Sequence, residues 1–151
     1  MAIFSNYWKE IARLFALVNF GMADAAISFF EAKYIYHFWR PVTPAELTDS
    51  DWLPLPTKTA PDPSYPGAHS ATSFAAAQAL QFYFGDKFTF DVTSEVLARV
   101  KRHFTSFSAA AKEAGLSRIY AGQHYRFDHN AGLLQGQKVS QSIDETTLLP
   151  K

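Results

Sequence analysis

The chain has 151 residues, 14 Lys+Arg against 14 Asp+Glu, and no cysteine. That length suits one domain over residues 1–151 with a real core, and the zero net charge excludes a nucleic-acid binder relying on a broad basic face. Without thiols there is no disulfide framework, Fe–S cluster, thiolate zinc site or Cys nucleophile, and a hydrophobic share of 48% argues against disorder.

Met1-Ala2-Ile3-Phe4 has no basic n-region, and no small-residue cleavage site follows an apolar run, so no signal peptide of the usual form is expected. The apolar stretch from Tyr7 to Trp39 is interrupted by Lys9, Glu10, Arg13, Asp24, Glu31 and Lys33. Each charge costs about 2.5–3.5 kcal/mol at a bilayer centre, so the chain reads as soluble, without a membrane span. Ile11, Leu14, Phe15 and Val18 recur at helical spacing and no proline intervenes, which predicts a long helix with a break near Gly21. Pro41, Pro44, Pro54, Pro56, Pro61, Pro63 and Pro66 then make a long loop of the kind that often carries function.

A second helix is expected from about Ser70 to Phe84, closed by Gly85. A third should begin near Thr93, capped by Thr93 or Asp91, and end around Gly115. The fourth should run from Gly122 to about Ile143. With no convincing alternating strand, the fold class is all-α, a helical bundle. Phe15, Phe20, Phe29, Phe30 and Phe38, then Phe74, Phe82, Tyr83 and Phe84, exceed what four helices can cover, so a homodimer is expected. Trp8, Trp39 and Trp52 are expected to be packing residues.

Three polar clusters stand out. In the first, Lys33 and Arg40 are seven apart, so two helical turns would place them on one face about 10.5 Å apart along the axis. They suit an anion gripped from two sides, or an ordinary solvated face. The second, Ser64-Tyr65-Pro66-Gly67-Ala68-His69-Ser70, opens onto a helix N-terminus, a natural anion seat, or else a simple capped turn. In the third, His124 and Asp128 are four apart, so on a helix the carboxylate can hold one ring nitrogen and leave the other free. Gly122 would break the helix and let Arg118 fold back toward the imidazole.

Lys33-x6-Arg40-Pro41, then Pro66-x-x-His69, then Ser117-Arg118-x5-His124-x3-Asp128 resembles the signature of the type 2 phosphatidic acid phosphatase superfamily, which joins acid phosphatases to vanadium-dependent haloperoxidases. The first and third parts match fully. The middle departs, with Gly67-Ala68 where the family usually has Ser-Gly. The wording around the motifs resembles the bacterial haloperoxidase-like branch, whose members are longer, so the chain looks like the C-terminal catalytic part or a minimal version.

The resemblance implies a haloperoxidase/acid phosphatase helical bundle whose cage of Lys33, Arg40, Gly67, Ala68 and Arg118 binds vanadate, with phosphate able to take the same place. His124 would bind the vanadium of vanadate, His69 would assist peroxide binding and halide oxidation, and Asp128 would hold His124. The substrates would be hydrogen peroxide and halide. A phosphatase would instead use His124 as nucleophile, through a phosphohistidine, and His69 to protonate the leaving alcohol of a phosphomonoester. Gly67 removes a hydroxyl donor to one oxygen. Asp62 would repel halide if it faces the site, which favours the phosphatase, whereas the wording around the motifs favours the peroxidase, the leading reading. A non-catalytic oxyanion-binding relic and a helical interaction module complete the alternatives.

Overall fold

The computed structural model describes residues 2–56 and 58–147. The long first helix, α1, spans Ala2–Tyr36 without interruption. Gly21 does not break it. A Cβ there would lie in ordinary contact, 3.6 Å from the Ala75 carbonyl oxygen. The segment Asn6–Tyr36 is long and apolar enough to cross a bilayer, by length and composition. Its inner side is nonetheless spent on protein, with Leu17, Ala25 and Phe29 buried.

Among its described residues the Pro-rich stretch carries one short helix, α2 (Val42–Thr48), and is otherwise irregular. Next comes α3 (Ala68–Phe84), the central element, packed against α1, α4 (Phe107–Tyr120) and α5 (Arg126–Thr146). Its buried residues are small: Ser70, Ala71, Ala75, Ala77 and Ala79. The facing helix answers with glycines. A Cβ on Gly136 of α5 would collide with the Ala71 carbonyl oxygen, and one on Gly132 with that of Gly67. Backbones this close exchange dispersion contacts along their whole length, which small side chains alone permit.

The third helix departs from expectation. Residues 90–104 form a two-stranded antiparallel hairpin, β1 (Phe90–Thr93) and β2 (Lys101–Phe104), with Phe90 opposite Phe104. Val96 and Leu97 mimic a helical stripe, yet they are 91% and 58% exposed in the turn. The decisive apolar contact comes instead from Phe90, whose ring stacks on Phe107 at 5.2 Å. Helix α4 therefore starts at Phe107, capped by Ser106, whose side chain accepts from the Ala109 N–H at 3.1 Å. Between this hairpin, α3 and α4 lies an apolar cleft of about 590 Å³ without a charged residue. The ionisable chemistry is gathered elsewhere.

Candidate oxyanion site

The polar residues singled out in the sequence meet where α1 and α4 end and α3 and α5 begin. Helix N-termini carry unpaired N–H groups and partial positive charge, so two of the four elements favour an anion here before any side chain is counted. The buried polar and charged residues at this end include Lys33, Arg40, Ser64, Gln123, His124 and Asp128.

Lys33 and Arg40 do converge, but not along one helix face. Helix α1 stops at Tyr36, and His37 adopts φ 47°, turning the chain so that Arg40 returns from the loop. Lys33 Nζ donates to the carbonyls of Pro63 and, at 3.2 Å, Ser64. Arg40 donates through Nε to the Asp62 carbonyl at 2.8 Å and through Nη1 to the Gln123 carbonyl at 3.0 Å. The Asp62 carboxylate joins them, with Oδ2 at 3.0 Å from Lys33 Nζ and 3.2 Å from Arg40 Nη2. Burial pushes the Lys33 pKa down, and the Asp62 hydrogen bond and charge work against that push.

The third cluster is shaped by a helix ending. Gly122 (φ 71°) terminates α4: its N–H bonds the Ile119 carbonyl at 2.9 Å, and the Gln123 N–H bonds that of Arg118 at 2.9 Å. This paired reversal, which needs a left-handed residue, is a Schellman motif. It carries the chain back over Arg118 and sets His124 ahead of α5, not on it. The expected fourth helix accordingly starts four residues later, at Arg126.

Asp128 then does two things. As the third residue of α5 it accepts the Tyr125 N–H at 3.0 Å, and the same oxygen, Oδ2, lies 3.0 Å from His124 Nδ1. The His–Asp contact thus arises from cap geometry, although the four-residue spacing suggests a helix face. Ser64 Oγ donates to that same Oδ2, a bond for which the sequence alone carries no signal. Tautomers follow from partners. With Nδ1–H donating to Asp128, Nε2 keeps its lone pair, and Arg40 Nη1 lies 3.5 Å from it. Burial lowers the His124 pKa, with the Arg40 charge helping and the Asp128 bond opposing, so the ring is neutral at neutral pH.

His69 sits on the exposed side of the cluster. Partial burial and then the charges of Arg118, His124 and Arg40 depress its pKa, which places it within electrostatic reach of all three. Arg118 contributes a buried Nε that has no hydrogen-bond partner. An unpaired buried guanidinium donor is costly, and an oxyanion would satisfy it. Three cations, one of them with that orphaned donor, and the His124 Nε2 lone pair facing Arg40 fit vanadate or phosphate. Ser117 takes no part, its hydroxyl bonding back to the Ala114 carbonyl at 2.7 Å.

The Gly67-Ala68 departure has a structural reason. The Gly67 N–H is spent on the Asp128 carbonyl at 2.9 Å, so it offers no donor to an anion. A Cβ at Gly67 would stand 3.0 Å from that carbonyl oxygen and 3.2 Å from Ser70 Oγ. The family's usual serine would need α5 to give way. Ala68 follows as the first residue of α3. His129, to which the sequence assigns no role, is buried, with Nδ1 at 2.9 Å from Ser70 Oγ beneath the site. Around the rim, Tyr125 stacks on Phe127 at 5.1 Å and Phe38 meets Phe127 edge-on at 5.1 Å, tying the loops together.

Comparison with known proteins identifies the family. Vanadium chloroperoxidase of Curvularia inaequalis is 27% identical over 172 aligned residues, which cover 79% of this chain and 28% of that protein. A structure described as the first bacterial vanadium-dependent iodoperoxidase superposes with a TM-score of 0.79 at 39% identity, over 85% of this chain and 32% of that one. An apo-type bacterial vanadium-dependent chloroperoxidase shares the fold, with a TM-score of 0.63 at 17% identity, over 78% of this chain and 32% of that one. The chain thus spans about a third or less of the length of these relatives. The model of the VCPO second helical-bundle domain matches residues 13–148. With nine-tenths of its length inside that model, the chain belongs to the VCPO second helical-bundle domain family, in the haloperoxidase-like superfamily.

Proposed function

We propose that residues 1–151 act as one helical oxyanion-binding unit of a vanadium-dependent haloperoxidase. Lys33, Arg40 and Arg118 would hold the oxygens of vanadate, and His124 Nε2 would be the ligand to vanadium. Vanadate, when bound, activates hydrogen peroxide so that halide is oxidised. The observation that carries this reading is the His124 ring, buried and pinned through Nδ1 to Asp128 with Nε2 turned toward Arg40. Asp128 orients that ring and fixes its tautomer. Arg40 and Arg118 present planar donor forks to a charge-rich oxyanion. His69, neutral at neutral pH and accessible, would accept a proton from peroxide as it approaches and return it later.

Purified protein with orthovanadate, hydrogen peroxide and iodide or bromide should oxidise the halide, and His124→Ala should reduce the rate by on the order of 10²-fold or more. Iodide comes first because the relative at 39% identity is an iodoperoxidase. Binding of vanadate without turnover of any substrate would overturn the catalytic reading and leave an oxyanion-binding relic. One observation favours a second reading, phosphomonoester hydrolysis: the Asp62 carboxylate faces the cations, where it would repel halide. Hydrolysis that vanadate inhibits, without halide oxidation, is its signature. The expected homodimer draws support from Trp8, Phe15, Ile27 and Ile35 of α1, each at least 65% exposed. A strictly monomeric elution at micromolar concentration would overturn it.

A further inference from the structure

Asp62 is not needed to place the two cations it touches. Backbone carbonyls already do so: those of Pro63 and Ser64 hold Lys33, and those of Asp62 itself and Gln123 hold Arg40. The carboxylate does something separate. Its Oδ2 bridges Lys33 Nζ and Arg40 Nη2 at 3.0 and 3.2 Å, while Arg40 Nη1 faces His124 Nε2 at 3.5 Å, so the carboxylate and an anion beside His124 would draw on the same two cations. A carboxylate oxygen and an oxyanion oxygen are the same kind of acceptor, and two full negative charges on one cation pair repel each other. The side chain is 21% exposed, and a cleft of about 380 Å³ lined by Arg40, Asp62, Thr43, Thr59 and Pro61 adjoins it. Rotation of the side chain into that cleft would leave the backbone, and the Arg40 Nε bond with it, in place.

We propose that Asp62 is an internal competitor for the oxyanion, its carboxylate resting on Lys33 and Arg40 and swinging aside when vanadate or phosphate binds. The chain therefore binds oxyanions more weakly than its cations alone would allow, and Asp62 sets that affinity. This inference rests on the oxyanion reading of the site.

The test is calorimetric titration of the full chain with inorganic phosphate, and separately with orthovanadate, for wild type, Asp62→Asn and Asp62→Ala. Both variants should bind roughly ten-fold tighter or more, the order expected when a competing charge-assisted bond is removed. Even where loss of the counter-ion lowers the melting temperature without ligand, the rise per added phosphate should be larger in Asp62→Asn than in wild type, because stabilisation by a ligand follows its affinity. Wild type that binds phosphate, with variants binding equally or more weakly, overturns the competitor alone and makes Asp62 a positioning residue. No binding by any of the three forms overturns both this inference and the oxyanion reading.

Discussion

The two ends of α3 bury opposite kinds of residue. Toward its C-terminal end, Leu17, Ala79 and Ile143 form a dry cluster, flanked by Val18, Tyr83 and Val139. Toward its N-terminal end, the interior includes Lys33, Arg40, Ser64, Gln123, His124 and Asp128. The first end gains stability from removing apolar surface from water. The second buries charge, with a lysine and a histidine displaced from their ordinary pKa values and an arginine donor without a partner. Such an arrangement costs stability and persists where the chemistry needs it. The apolar cluster and the candidate oxyanion site therefore lie at different ends of one helix.

That separation can be broken by experiment. The largest effect should come from Leu17→Ala, which removes a fully buried side chain and should cost about 2–5 kcal/mol in urea denaturation while leaving oxyanion affinity unchanged. A parallel loss of affinity would mean the two ends are coupled. Asp128→Asn keeps the shape but removes the charge that orients His124, and should weaken vanadate binding about 10–100-fold in calorimetry. If binding is unchanged, His124 is oriented by packing and by Ser64.

The smallest effect is on acid stability. Burial lowers the pKa of His69, His124 and His129 in the folded chain. Below about pH 6.5 the unfolded chain therefore binds protons that the folded chain does not, and stability falls as pH drops, by no more than about 1.4 kcal/mol per pH unit for each histidine. Thermal melts between pH 7.5 and pH 5, in steps of roughly half a unit, read this slope. A flat profile would mean that none of the three rings is held neutral by burial.

Much of the site is legible in the sequence because the reactive residues come as short strings whose spacing survives folding. Lys33, Arg40, His124 and Asp128 all stand out there, and all are brought together. The routes by which they meet are not legible. Helical spacing suggests a shared face for both pairs, whereas a left-handed residue at His37 and a Schellman ending at Gly122 make the contacts. Local periodicity cannot register a chain reversal made by a single residue. The hairpin is hidden for a related reason: Val96 and Leu97 read as helical, and the contacts that accompany the strands, Phe90 on Phe107 and Asp91 with Lys101 and His103, are made between segments ten or more residues apart. Trp8 and Trp39, expected to pack inside, are 66% and 52% exposed.

By itself, the amino-acid order determined the helical class, the central alanine-rich helix and the identities of the cationic and imidazole groups, because these follow from composition and short-range spacing. Tertiary structure alone decided which partner each group meets. The engagement of Lys33 and Arg40 by Asp62, the Ser64 bond to Asp128, and the packing that favours Gly67 over serine all join segments more than twenty residues apart. Contacts of that range depend on how backbones close on one another in three dimensions, and no local pattern in a chain encodes that distance.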